Sequence, residues 1–326
     1  MIFLYVGLLL ISFAILFKCA DYFVAGAVGI AQVTRIPKMV VGIVLVGLAT
    51  TAPEFGVSVQ AAFLGHPEIA LGNAIGSVIC DDGVALALAA IVSASVILVN
   101  CRLLQTAGIF LLSIDVLAYV LARNGTIGRV EGGGFVLILG LYFVFIIKKR
   151  NVSIASQKNQ HQEEEEKAHP LSLKISLLKK PIFLFIAGIC GVILSSRIVI
   201  WASIRIAQHF SLSETVIGLT IIAIGTSLPE ISTCITAARK GEGEIAVGDI
   251  IGADILNILW IIGVSSIVNP IKVDLEVINF TFPYMILIVT VMLVSMRLGC
   301  RLTKGKGILL LGLYGLYLFL TLKLFS

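Results

Sequence analysis

Thr50-Thr51-Ala52-Pro53-Glu54, followed by Gly72-Asn73-Ala74-Ile75-Gly76-Ser77-Val78-Ile79-Cys80-Asp81, decides how this chain folds, because the chain repeats it. Thr226-Ser227-Leu228-Pro229-Glu230 is followed by Gly248-Asp249-Ile250-Ile251-Gly252-Ala253-Asp254-Ile255-Leu256-Asn257, each residue 176 positions further on. Between Val40–Gly83 and Val216–Leu259, 15 of 44 positions are identical without a gap. Identity of that extent marks an internal duplication, and a duplication sets the architecture. Each copy holds a Pro-Glu pair inside an apolar run and a second polar cluster one apolar segment later.

The medium around these motifs is hydrocarbon. Of 326 residues, 58% are hydrophobic and 13% charged, where a soluble chain carries about 25%. Mean hydropathy is +1.06. Apolar runs long enough to cross a bilayer recur at 2–33, 39–64, 68–92, 103–121, 132–147, 182–210, 215–238, 244–267, 278–296 and 307–324. The first carries Asp21, lacks a cleavage site and reads as a span rather than a signal peptide. Near-uniform apolarity and length make these helices. The expected protein is an all-α polytopic membrane protein of ten transmembrane helices, with the lipid bilayer as its solvent.

Charge placement gives orientation. With the 148–181 loop in the cytoplasm, 17 Lys and Arg face inside and five face outside. That predicts a multi-pass protein of the cell membrane with both termini extracytoplasmic. The net charge of +5 therefore reports topology and not a nucleic-acid partner. The loop starts with Lys148-Lys149-Arg150, carries Glu163–Glu166 and reads as a solvated cytoplasmic linker. It separates a first five-helix repeat, 1–147, from a second, 182–326. An odd number of spans per copy turns the second upside down, so the two are inverted-topology repeats with a site expected near the midplane between them. The six cysteines show no C-x-x-C spacing and read as small packing residues rather than metal ligands or disulfides. No motif speaks to oligomeric state.

Proline has no N–H, so Pro53 and Pro229 release the carbonyls of Ala49 and Gly225 from helical bonding. In a membrane, freed carbonyls are tolerated where they are buried in protein, line a wet cavity or find a ligand. Thr50, Thr51, Thr226 and Ser227 add hydroxyl oxygens in the same turns, and Glu54 and Glu230 add carboxylates. Oxygen donors of these three kinds suit a hard cation such as Na⁺ or Ca²⁺. Helical spacing puts Asn73, Ser77 and Asp81 on one stripe, and Asp249, Ala253 and Asn257 on its counterpart. Gly72, Gly76, Gly248 and Gly252 would let the second and seventh spans approach these stripes. With Asp82 and Asp254 the motifs hold six carboxylates at membrane depth, and intramembrane ionisable groups are functional by default. The near absence of His and Cys from the stripes disfavours Zn²⁺ and Cu⁺.

Gly225-Thr226-Ser227-Leu228-Pro229-Glu230 with Gly248-Asp249-Ile250-Ile251-Gly252 resembles the second signature repeat of the sodium/calcium exchangers, in the cation/calcium antiporter superfamily. Asp21-Tyr22-Phe23-Val24 is similar to that family as well, and the resemblance spans nearly the whole chain. It implies a ten-helix transporter in which spans 1 and 6 slide as a tilted pair across a core with four central ion positions. By motif, it implies Thr50, Thr51, Glu54, Ser77, Asp81, Thr226, Ser227, Glu230 and Asn257 as ligands; the stripe adds Asp249. The family usually has Gly-Asn-x-x-Gly-Ser-Asn in both repeats. This chain instead has Val78 in the first, and Asp249, Ala253 and Asp254 in the second. Asp81 with Asn257 keeps one carboxylate and one amide at the inner pair, the balance expected for three Na⁺ or one Ca²⁺. The departures bear on selectivity and stoichiometry, not on the fold.

The function expected is a secondary antiporter exchanging Ca²⁺ for Na⁺ by alternating access. Both ions are cargo, and no cofactor is expected. A Ca²⁺/H⁺ antiporter on the same scaffold is the alternative, since closely spaced carboxylates can carry protons. A Mg²⁺-dependent membrane enzyme using Asp81-Asp82 lacks a D-D-x-x-D spacing and a basic phosphate clamp, so the chain is not expected to be an enzyme.

Overall fold

The computed structural model describes residues 2–34, 36, 38–65, 67–158, 171–209, 225 and 227–324. The chain folds into a helical membrane protein. Its helices are α1 (Ile2–Thr34), α2 (38–50, with a π-helical stretch Gly42–Val46), α3 (Ala52–Phe63), α4 (Pro67–Val92) and α5 (Cys101–Ala122). There follow α6 (Arg129–Lys158), α7 (Leu171–His209), α8 (Leu228–Arg239), α9 (Gly243–Val268), α10 (Val277–Arg297) and α11 (Lys304–Leu324).

Among the described residues, seven helices are long and apolar enough to cross a bilayer. The bent pair Gly42–Thr50 and Glu54–Phe63, meeting at 52°, makes an eighth. α11 lies where the tenth span is expected, and α8 carries the described part of the seventh. The start of that span, 215–224, lies outside the described residues. At the expected linker, α6 runs on to Lys158 and α7 begins at Leu171. Both extend past the apolar runs because Lys, Arg, Leu and Gln propagate a helix in water as well as in lipid.

Burial ranks the helices. The most apolar stretches of α4 and α9 are 72% and 83% buried, against 29% in α1 and 11% in the Leu177–Ser195 part of α7. α4 and α9, which carry the two polar stripes, are therefore central, and α1 and α7 are peripheral. Those two pack on each other: a Cβ on Gly26 would lie 2.4 Å from Phe185 N, and one on Gly188 would lie 2.4 Å from Phe23 N. The rings of Phe23 and Phe185 meet at 4.6 Å.

Close approach also builds the core. A Cβ on Gly252 would sit 2.3 Å from the Ile43 carbonyl, and one on Gly42 would sit 2.8 Å from Gly248 Cα. Only glycine admits α2 that near α9. The expected approach is thus seen at Gly248 and Gly252. Gly72 and Gly76 meet nothing within 4 Å among the described residues, and the segment expected to face them lies outside those residues.

Two short strand pairs join the halves. β1 (Ile97–Leu98) pairs antiparallel with β4 (Arg301–Leu302), and β2 (Thr126–Ile127) pairs with β3 (Ile271–Lys272). Moving 176 residues along the chain takes β1 close to β3 and β2 close to β4, so the two pairings mirror each other. The same shift relates the π-helical turns Asp81–Ala85 in α4 and Asn257–Ile262 in α9, which start on equivalent residues. π-Turns within α-helices concentrate at functional sites.

The reading of all six cysteines as packing residues needs correction. Cys101 and Cys300 form a disulfide across 199 residues of sequence. The pairing of β1 with β4 brings them together, and no local spacing could show it. Cys80 and Cys234 are buried as expected, whereas Cys190 is exposed.

Candidate functional site

Each copy of Pro-Glu sits in the first turn of a helix. Thr51 is the hinge between α2 and α3, with its N–H donating to the Gly47 carbonyl at 3.0 Å; Pro53 falls in the first turn of α3 and cannot donate to Ala49. In the second copy α8 starts at Leu228, Pro229 occupies its first turn, and the Ile231 N–H reaches back to the Ser227 carbonyl at 2.9 Å. Proline is tolerated at that position because the first-turn N–H has no helical partner to lose. The hinge at Thr51 and the start of α8 bring Thr50, Thr51 and Glu54 from one repeat, and Ser227 and Glu230 from the other, beside α4 and α9.

The side chains so gathered are out of contact with solvent. Thr50, Thr51, Ser227 and Asp249 are 0% exposed, Glu54, Asp81, Glu230 and Asn257 1%, and Ser77 3%. Thr50 Oγ1 donates to Asp249 Oδ1 at 3.1 Å, and Cys234 Sγ lies 3.7 Å from Asp249 Oδ2. Glu54 lies within the fields of Glu230, Asp81 and Asp249. Thr50 faces Glu230, and Ser227 faces Asp81. The structure therefore brings Thr50, Glu54, Asp81, Ser227, Glu230 and Asp249 into one polar cluster. Thr51, Ser77 and Asn257 are buried on the same elements. Thr226, also a candidate, lies outside the described residues.

Many of these oxygens are unsatisfied. Thr51 Oγ1, both Glu54 oxygens, Ser77 Oγ, Asp81 Oδ1, Glu230 Oε2 and Asn257 Oδ1 have no hydrogen-bond partner among the described residues. An orphaned buried polar group costs about 1–3 kcal/mol, and a charged one more. No ion pair to Lys or Arg neutralises the carboxylates among the described residues. Nor do three of His, Cys, Asp and Glu converge tightly enough there to hold a metal ion alone. Hydroxyl and carbonyl oxygens have to complete any shell, which is the donor mixture of a hard, readily released cation.

A second acidic group lies beside the first. Asp82 and Asp254, one from each repeat, act on each other, and Asp115 of α5 acts on both. All three are fully buried, and none of their six carboxylate oxygens has a hydrogen-bond partner among the described residues. Asp115 was not among the sequence candidates. Its signal is present in the sequence: it is the single acidic residue of a 22-residue helix and lies in that helix's apolar second half.

Buried, uncompensated oxygen donors contributed by both repeats of a multi-pass membrane protein define an ion transporter. The family model for the sodium/calcium exchanger protein matches residues 4–148 and 180–323. The chain belongs to the sodium/calcium exchanger family. It is 33% identical to the putative antiporter CaxA of Alkalimonas amylolytica, over 95% of this chain and 94% of that one. It is 29% identical to the sodium/calcium exchanger MaX1 of Methanosarcina acetivorans, over 95% and 96%. The fold superposes on solved structures of the sodium-calcium exchanger NCX_Mj soaked with Na⁺ and Sr²⁺, with a TM-score of 0.81, 26% identity and coverage of 97% and 98%. The chain is a cation/Ca²⁺ antiporter, a transporter and not an enzyme.

Proposed function

We propose that this antiporter exchanges Ca²⁺ for Na⁺ by alternating access, with the ions held by Thr50, Thr51, Glu54, Ser77, Asp81, Thr226, Ser227, Glu230, Asp249 and Asn257. The observation that carries the reading is the set of orphaned oxygens from both repeats, gathered around the bend at Thr51 and the start of α8. The names of MaX1 and NCX_Mj, both sodium/calcium exchangers, support it. The peripheral pair α1 and α7 slides against the core formed by α4 and α9. Asp21 of α1, paired with Lys240 after α8 at 3.1 Å, is one contact that must yield during such a movement.

The halves of this exchanger are 1–147 and 182–326, joined by a cytoplasmic linker, with both termini outside the cell. Cysteines introduced near Gln160 then label from the cytoplasm and those near Pro67 from outside; reversed labelling would invert the direction of exchange.

The buried group Asp82, Asp115 and Asp254 favours a second reading, Ca²⁺/H⁺ antiport. One experiment separates the two: ⁴⁵Ca²⁺ uptake into proteoliposomes under an imposed Na⁺ gradient, then under a pH gradient without Na⁺. Uptake is expected with the first. Uptake driven by the pH gradient alone establishes the second reading.

A further inference from the structure

Arg297 reaches the disulfide that joins the two halves, with Nη1 3.1 Å from Cys101 Sγ and 4.0 Å from Cys300 Sγ. Cys101 is also the first residue of the 22-residue helix α5, whose N-cap Asn100 accepts from Leu103 N at 3.2 Å. A helix N-terminus and a guanidinium both stabilise a thiolate. Arg102 and Arg301 are the chain neighbours of the two cysteines and add to the positive field. Cys300 itself has φ +50°, the only positive value among the described non-glycine residues, and follows Gly299 at φ +82°. A side chain in that conformation costs roughly 1–2 kcal/mol. The Val99 N–H, just past β1, donates to the Cys300 carbonyl at 3.0 Å, so the strained turn is held by this bond as well as by the bridge.

We propose that Cys101 and Cys300 form a reversible thiol–disulfide exchange site that takes a dithiol as its reductant, and not an inert cross-link. Both cysteines are half-buried and Arg297 is exposed, so a reagent can approach. A thiolate of the dithiol attacks Cys300 Sγ, the S–S bond breaks, and the electron pair leaves on Cys101 Sγ, where Arg297 and the helix N-terminus receive the charge. The second thiol of the reagent then attacks the mixed disulfide and releases Cys300. The two cysteines gain two protons and two electrons, and the dithiol becomes a cyclic disulfide. A leaving thiol of lower pKa departs faster. The excess of Lys and Arg places this edge on the cytoplasmic side in the orientation proposed above, where disulfides are mostly transient and redox-sensing. The exchange chemistry itself does not depend on that orientation or on which ion is transported.

The test uses the purified full-length protein, folded in detergent and prepared without reductant. It is treated with dithiothreitol, then alkylated, and the modified peptides are read by mass spectrometry. Cys101 and Cys300 are expected to alkylate while the gel-filtration profile stays unchanged. Arg297→Gln should slow their reduction by about three- to tenfold, and Arg297→Lys should restore most of the rate. Three results overturn the proposal: reduction only after denaturation, an Arg297→Gln rate equal to that of the unaltered protein, or free thiols at both positions before any reductant is added.

Discussion

Thr50 Oγ1 and Asp249 Oδ1 are joined by a 3.1 Å hydrogen bond between residues 199 apart in sequence, one from each repeat. Asp249 stands where the sodium/calcium exchangers usually have Asn, so an ionisable carboxyl occupies a position that is ordinarily an amide. Asp249→Asn keeps the acceptor for Thr50 and removes the charge. At ~5 Å and an effective dielectric of ~20, a carboxylate and a divalent cation attract by several kcal/mol. The expected outcome is a folded protein whose apparent Ca²⁺ affinity in ⁴⁵Ca²⁺ uptake falls at least about tenfold. An unchanged affinity would place Asp249 outside the ion shell.

Glu54→Gln and Glu230→Gln should each abolish Ca²⁺ transport while the protein remains monodisperse in detergent. Both carboxylates are 1% exposed and have at least one oxygen without a partner, so an amide loses the attraction for the cation but fits the same space. Near-normal flux in either variant moves the site elsewhere.

Asp81 and Asn257 begin equivalent π-helical turns, at matching depth in α4 and α9. Asp81→Asn alone should lose Ca²⁺ transport. Adding Asn257→Asp restores the charge from the opposite repeat and should recover a measurable part of the flux. Full activity in the single variant would show that Asp81 is not a ligand. A folded but inactive double variant would show that the two turns are not interchangeable.

Gly252→Val tests the packing of α2 on α9. Its Cβ would meet the Ile43 carbonyl at 2.3 Å, and a backbone atom cannot swing aside as a side-chain tip can. Overpacking of this kind costs about 1–3 kcal/mol or more. The variant should show a lower melting temperature in detergent; an unchanged melting temperature would mean that α2 shifts freely on α9.

The parts of this protein legible in its sequence are those written in local pattern. Apolar runs gave the helices, the repeat gave the relation of Thr50-to-Asp81 with Thr226-to-Asn257, and the proline chemistry located the bend beside Glu54 and the helix start beside Glu230. What escaped depends on distant segments meeting. Cys101 finds Cys300 only through β1 and β4, and Asp115 reveals its role only when α5 packs beside Asp82 and Asp254. The π-turns at Asp81 and Asn257 escaped for another reason: ideal helical spacing aligns the stripes well enough that nothing in the pattern called for an extra residue per turn.

The two strand pairs have a consequence in time. Ile97 pairs with Leu302 and Thr126 with Lys272, just as Thr50 meets Asp249, so each bond joins an early residue to a late one. At about 5–20 residues per second, Asp249 is synthesised roughly 10–40 seconds after Thr50. Through most of that interval Glu54, Asp81 and Asp82 have been made and the helix α9 that covers them has not. Each would cost about 2.5–3.5 kcal/mol at the centre of a bilayer. During biogenesis the first repeat therefore has to keep these carboxylates near water or protonated, and the site closes only once α9 has entered the membrane.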